Sequence, residues 1–169
     1  MTLSAPQPID ANHDTSQFDC GHPSLDAWLA RRALANELAR ASRTFVVCDG
    51  KRVVGYYCLA MGSVEHEAAN SALRRNMPDP IPAVVIGRLA VDRSYQGKQL
   101  GADLLADAVL RSIQAAQIVA ARVMLCHAID QKARDFHLKY SFVESGITPL
   151  TMLLDLAKAA AQLGPAADG

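Results

Sequence analysis

The sequence predicts one domain of the α/β (α+β) class over residues 1–169, and three observations predict it. The first is a hairpin pattern: Thr44 to Cys48 is a strand, Asp49-Gly50 is a tight-turn signal, and Val53 to Met61 is the returning strand. The second is a strand, a polar loop and a helix in succession. Ala83 to Asp92 is rich in Val, Ile and Leu but too short for a helix, and Arg93 to Gly101 carries two glycines, two glutamines and a lysine. Leu104, Leu105, Ala108, Val109 and Ile113 then recur at helical spacing towards Gln117. The third is composition: 169 residues that are 50% hydrophobic suffice for a globular domain with a sizeable core.

The remaining elements follow in order. Residues 1–16, rich in Pro, Asp, Asn and Ser, read as an extended lead-in with a short edge strand at most. Pro23 or Ser24 opens a helix, and Leu25, Trp28, Leu29, Leu34 and Leu38 carry an apolar stripe through about Arg40. Glu65 to Arg75 is polar, and Pro78, Pro80 and Pro82 stiffen the connection before the central strand. Arg122 to Ile129 is a strand whose His127 reads as a hydrogen-bonded core residue. Gln131 to Tyr140 is a helix with Ala133, Phe136 and Tyr140 as its apolar positions, while Phe142 and Leu150 to Leu156 suggest further strand pairing. The alanine-rich residues 157–169 read as a frayed helical tail.

Several classes are excluded by what is missing. No apolar run approaches the roughly 20 residues that span a bilayer, and the N-terminus lacks a signal-peptide pattern, so a cytoplasmic protein with no membrane partner is expected. Cys20, Cys48, Cys58 and Cys126 are far apart with no C-x-x-C spacing, which indicates reduced thiols and no metal site. The formal net charge of zero argues against indiscriminate nucleic-acid binding. Its distribution is uneven, because Met1 to Ala30 holds no basic residue while Arg31, Arg32, Arg40, Arg43, Lys51, Arg52, Arg74, Arg75, Arg88, Arg93 and Lys98 follow. Two readings stand: solvated surface charges, or a local phosphate-binding face.

A strand-to-helix turn with glycines is often mere connection, yet a helix N-terminus offers unpaired N–H groups and partial positive charge to a phosphate. Gln96-Gly97-Lys98-Gln99-Leu100-Gly101-Ala102 resembles the pyrophosphate-binding loop of the GNAT acetyltransferase superfamily, with Gln96 and Gly101 at its first and last positions and Gln99 where the family has its middle glycine. Leu89-Ala90-Val91-Asp92 is similar to the family's fourth strand. The stretches Phe18-Asp19-Cys20-Gly21 with Leu25 and Trp28, Ser42 to Val47, Val54-Gly55-Tyr56-Tyr57, Gly62-Ser63-Val64, Leu73-Arg74-Arg75-Asn76-Met77-Pro78 and Pro80-Ile81-Pro82 together resemble TacT-type toxins, from Phe18 to about Leu156. Those are GNAT enzymes of toxin–antitoxin operons that acetylate the α-amino group of aminoacyl-tRNA.

The resemblance implies a GNAT fold, with a central mixed, mostly antiparallel sheet splayed at the cofactor slot and flanked by helices. It implies acetyl-CoA as co-substrate, held by Leu89, Ala90, Val91, Gln96, Gly97, Lys98, Gln99, Leu100, Gly101 and Ala102. It implies tRNA contacts, for which Arg31, Arg32, Arg40, Arg43, Arg74, Arg75, Asn76 and Arg88 are the candidates. For Arg74 to Asn76 a purely rigid loop is the equal alternative. A homodimer is implied, as is a ribbon-helix-helix antitoxin that brings operator DNA.

The chemistry needs a free amine and a proton for the departing thiolate. A terminal α-amino group titrates at about 8 and lysine at about 10, so α-amines are the expected acceptors without a strong protein base. The family's Phe-Tyr-x-x-x-Gly-Phe motif is matched by Phe136-His137-Leu138-Lys139-Tyr140-Ser141-Phe142, with His137 at the tyrosine position and Ser141 at the glycine position. Three readings stay open here: His137 as general acid, Tyr140 in its place about one turn away, or an attenuated copy. The functional readings are correspondingly a toxin acting on charged tRNA, an acetyltransferase for another amine, or an impaired homologue serving mainly as an antitoxin-binding co-repressor.

Overall fold

The turn at Asp49-Gly50 forms where the sequence demands it and starts the sheet. In the computed structural model, which describes Thr2–Leu163, β2 (Arg43–Asp49) pairs antiparallel with β3 (Arg52–Val64), and Gly50 supplies a φ of +64° that favours glycine. The edge strand β1 (Gln7–Pro8) pairs antiparallel with β2. The others are β4 (Ile81–Val91), β5 (Val123–His127), β6 (Val143–Glu144) and β7 (Thr151–Asp155), and the seven strands run in the order β1-β2-β3-β4-β5-β7-β6. β4 and β5 are parallel, whereas β7 is antiparallel to both β5 and β6. Among the described residues there are six α-helices, α1 (Pro23–Arg31), α2 (Ala33–Leu38), α3 (Ser71–Arg74), α4 (Leu100–Ala116), α5 (Gln131–Lys139) and α6 (Leu156–Gln162), and single 3-10 turns at His66–Ala68 and Arg93–Tyr95. Among the described residues no helix is long and apolar enough to cross a membrane.

The residues fall into two compact units. The first comprises the chain up to Ala60 with Gly87–Ala108, and its core gathers Phe18, Leu29, Val46, Val53, Tyr56 and Ala90. Tyr56 is fully buried, its hydroxyl donates to the Leu25 carbonyl at 2.8 Å, and its ring stacks on Trp28 at 6.0 Å. That satisfied hydroxyl lets an aromatic body worth about 2 kcal/mol of burial sit in the core without an orphaned polar group. At Gly55 an added Cβ would stand 3.0 Å from Leu104 Cδ1 and 3.3 Å from Leu100 Cδ2, so the missing side chain is what lets the start of α4 rest on β3.

The second unit comprises Met61–Ile86 with the chain from Val109 onward, and its core gathers Val64, Leu73, Ile81, Ala83, Val123, Leu125 and Leu153. Arg122 grips Asp155 with two parallel bonds of 3.0 and 3.1 Å. The same carboxylate caps α6 through the Lys158 N–H.

Four expectations need correction. The helix expected through Arg40 is two helices, because Arg32 sits at φ −121° and breaks the path; Ala33 turns inward and Leu38 is left 77% exposed. Pro82 belongs to β4 and not to the connection, since a proline is tolerated near the start of a strand. His127 is exposed, although hydrogen-bonded to Thr151 Oγ1 at 3.2 Å as expected. Phe142 is buried beside β6 instead of within a strand. Of the expected tail, α6 reaches Gln162, and residues 164–169 lie outside the described ones.

Candidate active site

β4 ends at Val91, and the loop that follows is fixed from below by a buried carboxylate. Asp92, 2% exposed, accepts from the Asp19 N–H at 3.1 Å, the Ser94 N–H at 2.9 Å and Arg52 Nη2 at 3.3 Å. Burial alone would raise its pKa, and the two amide bonds together with Arg52 outweigh that, holding the carboxyl below its ordinary value. Tyr95, also buried, donates its hydroxyl to Asp49 at 2.6 Å. Gln96 ties the loop inward: its side-chain amide donates to the Val91 carbonyl at 2.9 Å and to the Cys20 carbonyl at 3.2 Å.

Beyond Gln96 the main chain alternates in sign. Gly97 has φ +79° and Gln99 φ +64°, so Gln99 adopts the left-handed conformation that a glycine would take at its position, with its side chain exposed. The first intrahelical bond of α4 is made by the Asp103 N–H to the Gln99 carbonyl at 3.0 Å, which leaves the amides of Leu100, Gly101 and Ala102 ahead of it without helical acceptors. They stand at the positive end of a 17-residue helix. A diphosphate fits such a row of donors. Lys98, exposed beside them, lies 5.5 Å from the Tyr95 ring centre and adds positive charge. All ten residues expected to hold the coenzyme belong to the first unit. Leu89 and Val91 are half-buried on β4, and Ala90 faces the core.

The arginines do not form one group. Arg31, Arg32, Arg40, Arg43 and Arg88 belong to the first unit, and Arg74, Arg75 and Asn76 to the second. Arg43 is engaged by Glu37 at 2.9 Å, Arg32 reaches Asn36 Oδ1 at 3.4 Å, and Arg31 and Arg40 are exposed. Arg88 is half-buried with its guanidinium 4.4 Å above Trp28. Arg74 ends α3 and Arg75 and Asn76 follow it directly, all three exposed.

His137 and Tyr140 belong to the second unit. His137 is 4% exposed, wedged edge-on against Phe136 at 5.3 Å and Phe142 at 5.0 Å. Its Nδ1 lies 2.8 Å from the Ala133 carbonyl oxygen, which can only accept, so the ring's hydrogen resides on Nδ1. Nε2 is buried with no hydrogen-bond partner. Burial lowers the ring's pKa against the opposing pull of the Ala133 bond. A neutral ring with a bare Nε2 accepts a proton at that atom and does not donate one. Tyr140 closes α5, 37% exposed, with its ring 5.2 Å from Phe136. Ser141, at the position matched to a glycine, has φ +74°.

The supports of the loop escaped the sequence reading, namely Asp92, Arg52 and Tyr95. A signal existed: Asp92-Arg93-Ser94 after a strand is the pattern of an aspartate accepting from the amide two residues on.

A sequence profile described as "Acetyltransferase (GNAT) family" matches residues 9–142. A tRNA-acetylating toxin of Mycobacterium tuberculosis is 47% identical over 161 residues, which is 95% of this chain and 97% of that one. The solved structure of AtaT complexed with acetyl-methionyl-tRNAfMet superposes with a TM-score of 0.89 at 26% identity, covering 96% of this chain and 99% of the other. A tyrosine-to-phenylalanine mutant of AtaT, bound to the C-terminus of the antitoxin AtaR and acetyl-CoA, superposes at 0.83 with 26% identity over 98% and 100% of the two chains. With a profile spanning most of its length and a near-full-length relative at this identity, the chain belongs to the GNAT acetyltransferase family.

Proposed function

We propose that this protein is the toxin of a type II toxin–antitoxin system, moving acetyl from acetyl-CoA to the α-amino group of aminoacyl-tRNA and so blocking translation. The observation that carries the reading is the near-full-length similarity to a tRNA-acetylating toxin, which runs through the coenzyme loop and both arginine groups. The amides of residues 100–102 would hold the diphosphate, and main-chain donors at Leu89 to Val91 would orient the thioester carbonyl. The free amine attacks that carbonyl, a C–N bond forms as the C–S bond breaks, and the proton shed by nitrogen neutralises the thiolate. Arg74, Arg75, Asn76, Arg31, Arg32, Arg40, Arg43 and Arg88 would meet the tRNA. The working state is a cytoplasmic homodimer, held in check by a ribbon-helix-helix antitoxin and, through it, tied to operator DNA.

A second reading is favoured by one observation, the burial of His137 without a donor on Nε2. In it the chain is an impaired homologue whose main task is to bind the antitoxin as a co-repressor. Expression of the full chain without an antitoxin separates the two. The expected result is growth arrest with N-acetylated aminoacyl-tRNA detected by mass spectrometry. Full growth, with soluble protein present and no acetylated tRNA, would overturn the toxin reading in favour of the second.

A further inference from the structure

Between β3 and β4 the chain leaves the sheet in a closed loop, and one histidine ties its two ends. His66 Nε2 lies 3.0 Å from the Met77 carbonyl oxygen and 2.8 Å from that of Pro78, while its backbone N–H donates to Asp79 Oδ1 at 3.0 Å. Carbonyl oxygens only accept, so Nε2 carries the hydrogen and shares it between them. Within the loop, Asn70 Oδ1 caps α3 by accepting from the Leu73 N–H at 2.9 Å, and Leu73 is 3% exposed in the core of its unit. Met77 N–H closes on the Arg74 carbonyl at 3.1 Å. What this anchoring leaves outside is Arg74, Arg75 and Asn76, all exposed. Among the described residues neither arginine has a carboxylate within ion-pair distance, so both guanidinium groups keep their donors for an external anion.

We infer that His66 is a positioning residue for RNA: its ring holds the loop in the shape that presents Arg74 and Arg75 to the phosphates of the acceptor end. The assignment rests on the tRNA reading above. A loop ordered before binding avoids the loss of freedom that an untied one would suffer on contact, so the tie enters the apparent affinity for RNA and not the coenzyme chemistry.

The test uses the full chain, a mixed pool of aminoacylated tRNA, filter retention over a salt series, steady-state kinetics and calorimetry with acetyl-CoA. His66→Phe keeps a flat ring and removes the donor. It is expected to weaken retention and raise KM for the tRNA about tenfold, and to flatten the salt dependence, with kcat and acetyl-CoA affinity within about twofold. His66→Gln restores an N–H donor and recovers most of the loss. In an Arg74→Ala, Arg75→Ala background His66→Phe adds less than about twofold, because the groups it positions are gone. Unchanged retention and slope in His66→Phe, or an undiminished effect in the double-alanine background, overturns the assignment. If the unmutated chain binds acetyl-CoA yet retains no tRNA, the tRNA reading falls and takes this one with it.

Discussion

The loop around Gln99 and the helix carrying His137 both depart from the GNAT pattern, one in each unit of the molecule, and the departures differ in kind. At Gln99 what the resemblance to a glycine position asks for is a backbone conformation. The glutamine meets it at φ +64° with its side chain in solvent, so the amide donors of residues 100–102 keep their direction. At His137 what the resemblance to a tyrosine position asks for is a side-chain proton. The histidine sits in the same stretch of helix, but its ring is spent on packing and on the Ala133 carbonyl. Anion sites built from main chain tolerate a change of side chain, whereas a site built on one ionisable group does not.

The comparison breaks first at position 99. Gln99→Pro locks φ at about −65° where +64° is needed, so acetyl-CoA affinity measured by calorimetry is expected to fall about 100-fold or more. Retained affinity would mean that the loop conformation does not hold the diphosphate. Next comes His137. His137→Tyr returns a hydroxyl to the position the resemblance assigns to tyrosine and is expected to raise kcat about tenfold, short of the roughly 100-fold at which a fully positioned acid begins, while His137→Phe leaves kcat within about twofold. A collapse of turnover in His137→Phe would make the histidine the acid after all. The smallest effect is conformational: Gln99→Gly and Ser141→Gly each relieve a left-handed residue, and chemical denaturation should show each gaining about 0.5 kcal/mol, net of the added freedom of the unfolded chain. Destabilisation at either position would show that its side chain makes contacts outweighing the strain.

The legible parts of the sequence were those governed by short-range pattern. The hairpin at Asp49-Gly50, the strand into Gln96 to Ala102, and the stripe Leu104, Leu105, Ala108 and Ile113 all occupy their expected places. The break at Arg32 was hidden because its neighbours keep helical spacing on both sides, and no Gly or Pro marks it. The sign of φ at Gln99 was equally hidden, since the residue type argues against it and the bonds that tie Asp92 and Gln96 to residues 19 and 20 join parts of the chain far apart in sequence. Whether His137 lay open or buried turned on Phe142 folding back beside it, a contact that helical spacing cannot express.

All four cysteines are buried and form no disulfide, and burial, with a lesser push from Asp26, raises the thiol pKa of Cys20 to about 12. Alkylating reagents need an accessible thiolate, so four buried thiols in the intact protein offer them almost nothing. Cys20, Cys48 and Cys58 belong to one unit and Cys126 to the other. Which sulfur is labelled first therefore reports which half of the molecule breathes open more often, written in the sequence as a built-in chemical clock.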